Sequence, residues 1–163
     1  MSNRSERLAA RIEEGAAELA AFAEALTEAD WGTPCRNGGK DQRPIGVLVH
    51  HVATMYPIEI DVARAIASGQ PVTDVTWGVV AGINEKHAQE SAGVTKAAAI
   101  DLLRRNSREA ADAVRAFSDE ELDRAAPFSL SDGAPMTTQF VVEDHALRHA
   151  WHHLAAIRAT LGR

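Results

Sequence analysis

Cysteine is the scarcest chemistry in this sequence. Cys35 stands alone among 163 residues, which excludes an intramolecular disulfide framework and any cysteine-rich zinc site. No apolar run approaches the ~20 residues that cross a bilayer. Basic residues are outnumbered, seventeen Lys and Arg against twenty-three Asp and Glu for a formal charge of −6. A grip on nucleic acid through phosphate neutralisation is therefore not expected. Alternating residues nowhere run long enough for a sheet, and there is no internal repeat or low-complexity tract. The opening Met1–Arg7 leads into an amphipathic segment with acids at every turn and does not read as a signal peptide. The expectation is a cytoplasmic chain, one domain over residues 1–163, able to bury about 70% of its unfolded surface.

What is present is helical period. Leu8, Ile12, Ala16, Leu19, Phe22, Ala23 and Leu26 recur at three- and four-residue steps, predicting a helix over about 5–29. Residues 33–42, including Gly38-Gly39-Lys40, read as a loop; that glycine pair lacks the length and hydroxyl of a phosphate-binding loop. Pro44 is placed to open a second helix through Ile45, Leu48, Val49, Val52 and Met55, with a kink or short break at Pro57 and an end at Gly69. A short helix over 76–90 follows, then one capped by Thr95 and running to Phe117. Ser118-Asp119-Glu120-Glu121 has capping-box spacing. Residues 127–135 read as a loop, and a last helix runs from Thr137 or Thr138 to Leu161. Four principal helices make an all-α bundle, and the long middle connection permits a topology other than simple up-and-down.

Seven histidines are the unusual count. Phased at about 100° per residue, His51 falls on the shoulder of the apolar stripe of its helix, whereas His50 faces the opposite, solvent side. In the last helix His149 and His153 lie beside the apolar arc, four residues apart and one above the other. His145 and His152 fall on the solvent side, and His87 reads as solvated. Two neutral imidazoles at i and i+4 with a third from a facing helix can hold a divalent ion and leave one position open. His51, His149 and His153 are thus the candidate ligands. Imidazole suits zinc, nickel, iron and copper alike, so the ligands do not select the metal. The plainer reading of each ring is a hydrogen-bonded structural histidine.

The run Pro44-Ile45-Gly46-Val47-Leu48-Val49-His50-His51-Val52-Ala53 resembles the second-helix signature of the DinB/YfiT-like superfamily. So does His149-Ala150-Trp151-His152-His153-Leu154-Ala155-Ala156-Ile157, and Leu26-Thr27-Glu28-Ala29-Asp30-Trp31 resembles the family's lead-in. The resemblance implies a DinB-like four-helix bundle of up-down-down-up topology, often a homodimer. It also implies a divalent metal, zinc or nickel, on the positions of His51, His149 and His153. Family activities centre on low-molecular-weight thiols and include S-transferases, a mycothiol-dependent isomerase and metal-dependent hydrolases. The function implied is a metal-dependent thiol transferase or hydrolase acting on a small electrophilic compound. The alternative from another class is a non-enzymatic dimeric bundle, a binding or stress-related module with a structural ion or none.

One departure bears on catalysis. Where many relatives carry an acidic or polar residue one turn after the first ligand, this chain has Met55-Tyr56-Pro57. Glu59 is nominally on the apolar side and is the candidate acceptor for a ligand imidazole or for a proton; a solvated helix acid is its ordinary reading. Asp144 and Arg148 read as a surface pair, and Glu143 would need an unexpected rotation to reach a metal. Cys35 reads as a plain loop cysteine; Tyr56, Trp77 and Trp151 read as core by default, with the lining of a pocket mouth as the alternative.

Overall fold

A computed structural model describes residues 3–36 and 42–163. The candidate glycine loop at Gly38-Gly39-Lys40 lies outside the described residues. Helix α1 spans Asn3–Glu24 and buries Leu8, Ile12, Ala16 and Leu19, the stripe its period predicts. It ends earlier than expected because Thr27 and Asp30 form a reciprocal capping box that opens a separate short helix, α2 (Glu28–Trp31). Helix α3 spans Ile45–Ala67, α4 Trp77–Glu90, α5 Lys96–Arg115 and α6 Asp119–Asp123. The chain closes with α7 (Thr138–Val141), a wide π-turn at Val142–Leu147 and α8 (Arg148–Leu161), which form one continuous helical rod.

Contacts at the two ends of the bundle set the direction of each helix. At one end the Lys96 ammonium donates to the Leu26 carbonyl. There the Trp31 indole lies over Gly46, where a Cβ would come within 2.3 Å of the ring, and donates to the Val94 carbonyl at 3.2 Å. The end of α1 thus meets the starts of α3 and α5. Thr160, near the end of α8, accepts from the Arg36 N–H at the same end, 3.0 Å away. At the other end Arg115, closing α5, meets Glu6 of α1 at 3.0 Å. Arg124 donates to the Ala67 carbonyl at the end of α3, 2.6 Å away. The order is up-down-down-up. Helix α5 packs against α1 and α3, and the final rod packs against the same two.

Pro57 lies inside α3 without ending it. Its missing N–H would leave the Ala53 carbonyl unpaired, and Asn106 Nδ2 of α5 donates to that oxygen at 2.8 Å. The expected interruption is healed from a neighbouring helix. The expectation of no strand is corrected. Ala125–Pro127 (β1) pairs antiparallel with Pro135–Thr137 (β2), and Val72 joins beside Phe128. Three-residue strands are too short to show alternation in a sequence. This small ribbon and α4 lie on the flank where α3 faces the final rod.

Candidate metal centre

His51 sits in the second turn of α3, where Ile45, Leu48, Val49 and Val52 bury the face beside it. His149 and His153 occupy successive turns of α8. Helix packing brings the three together: ring centroids are 4.9 Å apart for His51–His149, 5.4 Å for His51–His153 and 4.9 Å for His149–His153. Each ring offers one nitrogen to a group whose atoms all lie within 4.8 Å of one another. His51 and His153 are 3% and 4% exposed.

Burial, reinforced by the neighbouring His149, pushes the His51 pKa far below the ordinary imidazole range. The same two causes push His153 down to about 2. Both rings are therefore neutral at pH 7, the state that ligates metals. Among the described residues, Nδ1 of His51 and Nδ1 of His153 are buried with no hydrogen-bond partner. His149 is different. Its Nδ1 lies 2.7 Å from Glu59 Oε1. A carboxylate oxygen accepts, so that nitrogen carries the hydrogen and Nε2 is the nitrogen left to face a metal. Two neutral imidazoles with unclaimed buried nitrogens, and a third oriented by a carboxylate, fit a divalent ion.

Glu59 is drawn inward, its side chain 11% exposed, and it acts as the imidazole acceptor rather than as a solvated acid. Pro57 sits two residues before it, and helical phase alone did not settle its direction. Beside the cluster opens a cavity of about 370 Å³, walled by side chains of α3, α4, the β-ribbon and the final rod.

Other placements correct the wheel. His50 does not face open water; its Nδ1 lies 2.9 Å from His87 Nε2, with the rings stacked at 5.1 Å. Nor is His87 solvated. It also meets Ser91 Oγ at 3.2 Å, and burial lowers its pKa to about 4. Helix α4 covers that side of α3, a placement no helical period encodes. His145 was expected on the solvent side, yet it lines the cavity, its ring 5.5 Å from Phe128. The wide turn at 142–147 inserts about one residue's rotation between it and His149. His152 is exposed as expected and borders the cavity.

Trp77 takes the pocket-mouth alternative rather than the core default, 65% exposed on the cavity wall, whereas Tyr56 is fully buried and Trp151 packs against the core. Cys35 is buried rather than a plain loop residue, with Sγ 3.3 Å from Thr160 Oγ1. Glu143 turns toward Arg11, 3.5 Å away, and not toward the histidines. Arg148 donates to Asp144 at 3.0 Å, the expected pair, here at the cavity edge. Beyond Trp77, the contribution of α4 and the ribbon to the cavity is not legible in the sequence, because it depends on how these elements are placed against α3.

Fold and site together make this a four-helix bundle with three histidines gathered on one flank. The chain belongs to the DinB superfamily, whose model matches residues 11–157. No curated protein matches it. Among solved structures it is similar to YfiT from Bacillus subtilis, described as "a probable metal-dependent hydrolase with an unusual four-helix bundle topology". The TM-score is 0.73 at 19% identity, over 99% of this chain and 90% of that one. At that identity the likeness carries the fold. Among the described residues no helix is long and apolar enough to cross a membrane.

Proposed function

We infer that this chain is a metal-dependent enzyme that turns over a small electrophilic compound, with His51, His149 and His153 holding the ion. The observation that carries this reading is the convergence of the three imidazoles, within 4.8 Å, at the wall of a cavity of about 370 Å³. A divalent ion there, zinc or nickel, supplies Lewis acidity and lowers the pKa of a water or thiol bound to it. Glu59 orients His149 and borders the cavity, where it can take a proton from the attacking group. Neutral His51 and His153 would add no charge of their own to a bound ion.

Hydrolysis and transfer to a low-molecular-weight thiol are the two outcomes such chemistry allows. The description of YfiT favours hydrolysis. A homodimer and a thiol co-substrate belong to the same reading through the family resemblance. Product formation that proceeds without added thiol separates hydrolysis from transfer.

The direct test is elemental analysis of the purified protein. The expected result is about one divalent ion per chain, lost in His149→Ala and kept in His50→Ala and His152→Ala. Absence of metal from the wild type after reconstitution with zinc or nickel overturns the reading. Loss of metal in His50→Ala with retention in His51→Ala overturns the ligand assignment.

A further inference from the structure

Among the described residues five large apolar side chains are exposed: Ile58, Trp77, Val79, Ile83 and Phe140. Three of them, Ile58, Trp77 and Ile83, line the cavity beside the histidines. Exposed apolar surface is therefore concentrated at one place, the pattern of a binding surface rather than of scattered residues. Val80 of α4, Phe128 and Leu130 extend the same wall. Helix α4 buries none of its own residues, so core packing does not account for an indole at its first position. Of the charged groups lining the cavity, Asp144 pairs with Arg148 and Glu59 with His149, and Arg43 lines it as well. A volume of about 370 Å³ falls at the small end of the roughly 300–1,000 Å³ that holds compact organic ligands. It has room for one or two fused rings.

We propose that the substrate carries an aromatic or similarly flat apolar group, and that Trp77 binds this group by stacking while the reactive end faces the three histidines. Trp77 is thus the specificity-determining residue of the site. An indole offers a large rigid face at low entropic cost, and offset stacking adds to the area it removes from water. The proposal rests on the metal-dependent reading above for its reactive end, and on the exposed apolar wall for its binding end.

Two hydroxamates with the same metal-binding head separate these parts. Acetohydroxamate and 2-naphthohydroxamate are titrated calorimetrically into the zinc-loaded protein and into its Trp77→Ala and Trp77→Phe variants. The expected result is naphthyl binding at least about ten-fold tighter than acetyl in the wild type. In Trp77→Ala the ratio falls below about three-fold while acetohydroxamate affinity is unchanged, and Trp77→Phe recovers most of it. Indole emission is quenched by the naphthyl ligand in the wild type alone. An equal ratio in Trp77→Ala, or no naphthyl preference in the wild type, overturns the proposal.

If neither hydroxamate binds, the metal reading fails. The wall is then tested with 2-naphthol, which needs no ion, and the absence of a Trp77-dependent quench overturns the proposal. A wild-type dimer that dissociates in Trp77→Ala, with no change in the naphthyl ratio, assigns the indole to contact with a second copy and overturns it as well.

Discussion

His149 and Glu59 are ninety positions apart, and the 2.7 Å contact between them gives each a defined role. The carboxylate fixes the tautomer and the ring orientation of the imidazole, and it raises the basicity of the nitrogen left for a metal. Glu59→Ala is expected to weaken zinc binding by about 10–100-fold, read by competition with a chromogenic chelator. Glu59→Gln, which still accepts from Nδ1, should fall between the variant and the wild type. Equal affinity in all three would return Glu59 to the status of a helix acid without a part in the site. The four-residue spacing of His149 and His153 is legible in the sequence because both rings ride one helix. Glu59 is legible as an acceptor for a ligand imidazole, but which ligand it meets is not, because it comes from a different helix and Pro57 leaves its local phase open.

Among the elements, α3 depends on α5 for its continuity. Proline removes the N–H that would pair with Ala53, and Asn106 supplies the replacement donor. Asn106→Ala should cost about 1–3 kcal/mol in denaturant unfolding, because the Ala53 carbonyl is left buried and unpaired. In a Pro57→Ala background the helix regains its own donor, so the cost should drop below about 1 kcal/mol. Equal costs in the two backgrounds would show that Asn106 acts by packing alone. The π-turn at Val142–Leu147 is the second device at this scale. It swings His145 onto the cavity while leaving His149 and His153 in mutual register, so a wheel drawn through the rod misplaces His145, which lies within the turn.

For the whole molecule, the core and the site are separable. The interior is built from apolar side chains of four long helices, among them Ile12, Leu19, Leu48, Leu103, Leu154 and Ile157. The histidines lie on one flank of it, next to the cavity. Removing a bound ion with a chelator should therefore lower Tm while far-UV circular dichroism keeps its helical signal. The loss in stability follows the ligand linkage, about 2.7 kcal/mol for an ion present at 100 times its Kd. Collapse of the helical signal on chelation would mark the ion as structural and favour the non-enzymatic alternative.

The sequence by itself determined where the helices run and how residues on one helix are phased. It thereby singled out the buried shoulder occupied by His51 and the paired turns of His149 and His153. Period carries that information because burial of one stripe is a local requirement repeated every 3.6 residues. Only the tertiary structure decided that α4 lays His87 against His50, that Glu59 meets His149, and that Trp77 stands over a cavity. Those outcomes depend on how one element is rotated and placed against another. That is a matter of packing between residues far apart in the chain, and no pattern within a single helix records it.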